Sequence, residues 1–329
     1  MAQMLSVESA AAQDVDAAIQ KANLYIEVAE MTERAVESWD RYTSWVSMKT
    51  GPTGKERYIS YGMYEVYDVA GLLKEAQKAA GLEPITPALD AVMKRYINSY
   101  VALARVPNRA NGYYEREGYR SDGMAEGKAL HAEMVPLATA FLAEREAMLN
   151  ELRPFVRDVE GQEVASKEAR DGRSRGWQAA NILHAANLVV DLFPRTRPTY
   201  IDADMMDAEM QAIGPDTRGE KFDQVIAGVT PPTGVVIDIK QFDAAMTGFA
   251  AAVEIFDRFA KEKPEELEDF KDLPRQLLDD LRALREPLAQ NQGRDFEGSR
   301  PLVGQVVEKY FAMMNEGGSI ASSQLRYLQ

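Results

Sequence analysis

The sequence predicts an all-α protein, an elongated bundle of long, partly kinked antiparallel helices. Three observations carry this. Apolar residues recur at three- and four-residue steps over most of the chain, which is the period of one helical face. Turn-forming Gly-Pro and Thr-Gly pairs separate those runs. Only "GVVIDI" has strand character, and it is short and lacks a partner, so it reads as loop.

The first predicted helix runs from about Ala12 to Met48, with Val15, Ile19, Ala22, Ile26, Ala29 and Val36 on one face. "MKTGPTGK" breaks it. A tyrosine-rich helix is predicted next, roughly Arg57 to Ala80, ended by Gly81 in a C-cap role. The third starts at Thr86 as N-cap with Pro87 at the first helical position, where its missing N–H costs nothing. Its buried stripe is Tyr96, Tyr100, Leu103, Pro107, Ala110 and Tyr114, and Pro107 kinks it without ending it.

The fourth helix starts near Ser121 or Asp122 and passes a second internal proline, Pro136. Gly161, Gly172 and Gly176 then interrupt a polar stretch. "GWQAANILHAANLVVDLF" is apolar on more than one side and reads as a buried helix. "PRTRPTY", residues 194–200, reads as a linker that divides one domain into two sub-bundles. Helices are expected near Asp202 to Ile213, Ile239 to Lys261, from Pro264 onward, and from Arg300 to Asn315.

Composition excludes several functions. The 329 residues carry 52 acidic against 38 basic side chains, a net charge of -14. Phosphate neutralisation needs clustered Lys and Arg, so the balance argues against a nucleic-acid partner and against docking on an anionic membrane. With no cysteine, there is no disulfide, thiolate metal site or Cys nucleophile. Two histidines cannot form a three-His zinc site. No apolar run reaches the roughly 18 residues of a spanning helix. The Walker, dinucleotide and nucleophile-elbow motifs are missing, and no cofactor is implied.

The richest stretch is "NGYYEREGYRSDGMAEGKALHAEM", residues 111–134. Taken as a helix, it places Gly123, Gly127, Leu130, Met134, Leu137 and Phe141 in a core stripe, its glycines admitting a close neighbour. His131 falls to one side, a boundary residue whose tip can hydrogen-bond across a helix pair. Glu133 falls to the other side, in a row with Asp122, Glu126, Glu144 and Glu151. One metal ion is not easily shared across that angle. The Glu-x-x-His pairs of di-metal bundles are also absent, so Glu126 and Glu133 with His131 form only an alternative metal reading. "IDADMMDAEM" fails the EF-hand pattern and reads as an acidic helix start capped by Asp202. His184 reads as a buried neutral side chain bonded to a neighbour such as Asn181. Tyr58, Tyr61, Tyr64 and Tyr67 step by three, a spiralling band that either packs between helices or forms an aromatic groove.

Three stretches together resemble YiiG-like bacterial envelope lipoproteins. They are "KANLYIEVAE", "NRANGYYEREGYRSDGMAEGKALHAEM" and "VEKYFAMMNEG", the last with Phe311 where Asn is usual. The resemblance implies one all-helical domain of unknown function over residues 1–329, with no catalytic residue to carry over. It also implies a periplasmic or outer-membrane-attached protein, with a signal and a lipidated cysteine upstream of residue 1. The leading expectation is a non-enzymatic envelope protein that binds a protein or small-molecule partner. The candidate contact residues are Tyr113, Tyr114, Tyr119, Asp122, His131, Tyr58, Tyr61 and Tyr64. A metal-binding bundle and a hydrophobic-ligand carrier are the alternatives.

Overall fold

A computed structural model of the chain describes residues 2–193, 236–294, 299–321, 323 and 325. It is all-α. The helices are α1 (Ala2–Met31), α2 (Glu33–Thr43), α3 (Ala70–Ala79), α4 (Pro87–Glu115), α5 (Tyr119–Asp122), α6 (Ala125–Asp171), α7 (Arg175–Val190), α8 (Ile239–Glu262), α9 (Leu273–Gln290) and α10 (Ser299–Ala321). Among the described residues the only β-type pairing is a single bridge between Val236 and Arg294, so the "GVVIDI" segment is loop where it is described. The expected linker at 194–200 and the helix and cap near Asp202 lie outside the described residues.

Internal contacts gather the chain into two units. In the one containing residues 155–193 and 236–325, α7 packs on α8 and α10, and α9 packs on α8 and α10. Phe242, Phe249, Phe256, Leu277, Leu281 and Met313 fill its centre and are fully buried. Asp238 caps α8 by accepting from the Lys240 and Gln241 amides. α6 does not stop at Gly161 as the sequence suggests. The His184 ring lies beside this glycine, 3.6 Å from its Cβ position, an ordinary contact distance. The partner of His184 is also corrected: its Nδ1 lies 3.1 Å from Glu160 Oε2, not against Asn181. Glu160 accepts further from Asn187 Nδ2 at 2.9 Å, and Asn187 Oδ1 accepts from Tyr310 at 2.5 Å. This chain of hydrogen bonds satisfies a buried carboxylate, as burial demands.

The other unit, described over residues 20–154, holds α2 to α5 with parts of α1 and α6. The predicted α4 stripe is buried throughout, Tyr96, Tyr100, Leu103, Pro107, Ala110 and Tyr114 included. The single helix predicted over 12–48 is two, interrupted at Thr32. The Thr32 hydroxyl donates back to the Val28 carbonyl and also meets the Tyr96 hydroxyl, a back-bonding that disturbs helical continuity.

The larger correction concerns Arg57 to Ala80. Only Ala70–Ala79 is α-helical, and before it lies just one 3-10 turn at Ile59–Tyr61. The Tyr61 and Gly62 amides close the 3-10 turn on the Tyr58 and Ile59 carbonyls, and other backbone groups of residues 61–67 bond to side chains of other elements. From α2 and the turn after it, Arg41 Nε donates to Tyr61 O, Trp45 Nε1 to Gly62 O and Ser38 Oγ to Tyr64 O, at 2.6, 2.9 and 2.8 Å. From α4, Asn108 both accepts from Val66 N and donates to Val66 O, and the Tyr100 hydroxyl donates to Tyr67 O. Aromatic and β-branched residues are weak helix formers, so these outside partners decide the conformation.

The start of α4 is fixed by a buried ion pair. Lys21, 4% exposed, sits 2.9 Å from Asp90 and also donates to the carbonyls of Leu82 and Pro84. Asp90 accepts from the Tyr25 hydroxyl at 2.7 Å and from the amide and hydroxyl of Thr86. Thr86 thus stands at the predicted N-cap position, but its side chain donates to Asp90 instead of capping an amide. Removing one member leaves the other charge buried and unpaired. Asp90→Ala is therefore expected to lower unfolding free energy by about 3–5 kcal/mol, measured by urea denaturation, with Lys21→Met milder than Asp90→Ala.

Candidate functional site

The stretch 111–134 folds as a latched hairpin. α4 ends at Glu115, α5 forms one turn, and α6 begins at Ala125. Asp122 organises the junction: its carboxylate accepts from the Met124 and Glu126 amides, both at 2.9 Å, and from the Tyr113 hydroxyl at 2.9 Å. Those amide bonds hold its carboxyl below the ordinary carboxylate range, with the Tyr113 bond helping against burial. Burial, with Asp122 second, pushes Tyr113 up to about 12. The Tyr113 ring is clasped between glycines, since a Cβ would come within 2.6 Å of it at Gly118 and 3.1 Å at Gly127. Gly127 therefore does admit a close neighbour, as the stripe suggests. Gly123 does not: it is exposed, with nothing near its Cβ position and a φ of 60°.

Tyr114 points into an aromatic cluster rather than packing the hairpin tip. Its ring meets Trp45 edge to face at 5.0 Å between centroids, and Trp45 meets Tyr42 likewise at 5.4 Å. Tyr42 is buried, and burial first, then neighbouring Tyr114 and Glu56, push its hydroxyl far above the ordinary phenol range. Its oxygen lies within hydrogen-bond distance of His131 Nδ1, at 3.0 Å. His131 thus bonds across a helix pair, in the manner its position on α6 suggests. Burial holds its pKa below 6.5. The loop carrying Gly51 lies on this ring; Gly51, at φ 68°, leaves only 3.0 Å between a Cβ position and His131 Cδ2. Glu56 ties the loop by accepting from the Thr53 amide and hydroxyl and the Gly54 amide. Against its burial, those bonds hold the Glu56 carboxyl below its ordinary value. The Tyr114 hydroxyl is buried without a hydrogen bond of good geometry, although Tyr42 lies near enough for each phenol to affect the other's titration.

Outside this cluster the tyrosines expected on a helix form a surface ladder with arginines. The segment 61–67 runs back along α2, with Tyr61 beside Arg41 and Tyr67 beside Arg34. The Arg34 guanidinium lies 3.9 Å from the Tyr64 ring centre and 5.9 Å from that of Tyr67. Arg41 lies 4.3 Å from Tyr64 and 5.6 Å from Tyr61. Tyr61 stacks on Tyr58 at 5.0 Å, and Arg57 lies 5.2 Å from Tyr58. The order is Tyr67, Arg34, Tyr64, Arg41, Tyr61, Tyr58, Arg57. Tyr58, Tyr61 and Tyr67 are 38%, 48% and 53% exposed. Each cation–ring contact contributes on the order of 0.5–1 kcal/mol at such sites.

The predicted residues therefore separate into three groups. Tyr113 and Asp122 form the latch. Tyr114 and His131 belong to the buried cluster. Tyr58, Tyr61 and Tyr64 join the ladder. Tyr119, half-buried on α5, contacts only the guanidinium of Arg120 among these features. The carboxylate row faces cations: Glu133 pairs with Arg109 and Glu144 with Arg95, both at 3.0 Å. Glu126 is exposed at the start of α6, and no group of three or more possible ligands occurs among the described residues. The metal reading of Glu126 and Glu133 thus gains nothing from this geometry. A cleft of about 430 Å³ between α9 and α10 is lined by polar and charged side chains such as Asp279, Asp280 and Glu308 and lies apart from the tyrosine band. Arg34 and Arg41 were missed, although their seven-residue spacing places both on one face of α2. Trp45, Gly51 and Glu56 carry no comparable local signal.

A family profile described as "Protein of unknown function (DUF3829)" matches residues 16–223. Among curated proteins, the Escherichia coli (strain K12) "Uncharacterized protein YiiG" is 28% identical over 194 residues, 58% of this chain and 53% of that protein. The chain thus aligns with about half the length of that relative. No solved structure matches. No described helix is long and apolar enough to cross a membrane.

Two predictions follow from the latch and the cluster. Gly127→Ala places a methyl group against Met124 Sδ and the Tyr113 ring, and is expected to cost about 1–3 kcal/mol in chemical denaturation, as overpacking does. His131 has a folded pKa below its unfolded value, so its contribution is complete above pH 6.5 and is lost as pH falls below it, through the folded pKa. Between pH 7 and pH 5, stability measured by denaturation should fall less steeply for His131→Gln than for the wild type.

Proposed function

Since the chain belongs to the DUF3829 family of proteins of unknown function, we propose that it is a non-enzymatic binding protein whose contact face is the arginine–tyrosine ladder along α2. The single observation that carries this is a row of exposed rings held in a fixed arrangement. Tyr58, Tyr61 and Tyr67 are large aromatic side chains left in solvent, and the backbone beneath 61–67 is pinned to α2 and α4. Tyrosine presented on a rigid support binds at low entropic cost, because two torsions are fixed in advance. The family resemblance supports placing this face in the bacterial envelope, on a periplasmic or lipid-anchored protein. The latch and the buried aromatic cluster serve as the scaffold of the loop that leads into the ladder.

A photo-reactive amino acid at position 61, activated in intact cells, is expected to give a discrete adduct that the same probe at exposed Glu146 on α6 does not. Unmodified protein alone at both positions would overturn the reading.

A further inference from the structure

We infer that the turn joining α3 to α4, residues 80–88, inserts into the surface of a lipid bilayer through its aliphatic side chains. The inference stands apart from the ladder and does not rest on it. Leu82 is 61% exposed, the highest value among the large apolar side chains described, and Ile85 is 53% exposed. Pro87 and Ala88 beside them are exposed, and Pro84 is half-buried. Apolar side chains scattered singly over a surface need no explanation, but these gather at one turn. From Ala79 to Leu89 the only charged residue is Glu83, in a chain where 27% of residues are charged. The Glu83 carboxylate accepts from the Ile85 amide at 3.0 Å.

The backbone of the turn is prepared for a medium without water. Hydrocarbon offers no partner to an amide or a carbonyl, so an inserting loop has to satisfy its own. The Gly81 and Leu82 amides donate to the Lys78 and Ala79 carbonyls, and the Thr86 amide donates to Asp90. Pro84 and Pro87 have no amide hydrogen to satisfy. The buried ammonium of Lys21 donates to the Leu82 and Pro84 carbonyls at 3.2 and 2.9 Å. The ion pair of Lys21 with Asp90 thus holds polar groups of the turn inward, while the side chains of Leu82 and Ile85 stand outward.

Area decides between a bilayer and a protein. A specific protein interface buries about 800 Å² on each partner. The apolar surface here ends with the turn, since Glu75, Lys78, Lys94 and Arg95 on the flanking helices are exposed. A protruding turn also gives no cleft to a small ligand. A bilayer surface needs no complementary shape and accepts an apolar group of any outline. Because the contact is apolar, it does not require the basic face that a net charge of -14 denies the chain.

Sedimentation of the full chain with sucrose-loaded phosphatidylcholine vesicles tests this. The protein is expected to sediment with the vesicles, and equally at low and high salt, since apolar insertion is not screened. Leu82→Ser with Ile85→Ser should lower the partition coefficient about tenfold or more, the scale of losing two aliphatic side chains. The melting temperature of that variant should not change, because both side chains stand in solvent. Ile85→Trp should raise the partition coefficient, since tryptophan favours the membrane interface. No sedimentation with phosphatidylcholine would overturn the inference, as would a serine pair that partitions like the wild type. Binding that needs anionic phosphatidylglycerol and is lost at high salt would overturn it too. A concentration-dependent dimer, seen by analytical ultracentrifugation without lipid and abolished by the serine pair, would give the turn to a second copy of the chain instead. The serine pair should leave the adduct from position 61 in place, so the two readings fail separately.

Discussion

The unit built on α2, α4 and the first part of α6 depends on how the backbone between residues 61 and 67 is satisfied. A buried or half-buried segment must place its amides and carbonyls somewhere. Here they go to Ser38, Arg41 and Trp45 on one side and to Tyr100 and Asn108 on the other. That choice keeps the segment extended beside α2 instead of coiling it. It aligns Tyr61, Tyr64 and Tyr67 with Arg34 and Arg41. Every surface property attributed to the ladder is a consequence of those few bonds.

In each unit, buried charges are held in local hydrogen-bond networks. Lys21 and Asp90 fix the entry to α4, and Asp122 fixes the turn between α5 and α6. Glu160 organises His184, Asn187 and, through Asn187, Tyr310 in the other unit. These are networks of short range, each closed on itself. The carboxylate row on α6 likewise ends in ion pairs with arginines of α4.

The chain is acidic overall, with a net charge of -14, but charge acts locally at physiological salt, where screening lengths are about 8 Å. A surface of paired charges contributes little to stability. Among the described residues, only the ladder combines exposed large aromatic rings with stacked guanidinium groups.

How much was legible in the sequence follows from the range of the forces involved. By itself the sequence determined the helical class, the buried stripe of α4 from Tyr96 to Tyr114, the start of α8 near Ile239, and the place of His131 at a helix boundary. Each follows from period, caps and turn residues, which act within a few positions. It misread 57–69 as helix, took Gly161 as a break and gave His184 the wrong partner. Two of those outcomes were decided by side chains distant in the chain: Ser38 and Asn108 for the backbone of 61–67, and Glu160 for His184. Local propensity among aromatic and β-branched residues differs by only tenths of a kcal/mol per residue, whereas an unsatisfied buried backbone group costs about 1–3 kcal/mol. The tertiary structure therefore decided where tyrosine and arginine meet, because only folding brings the partners of that backbone within reach.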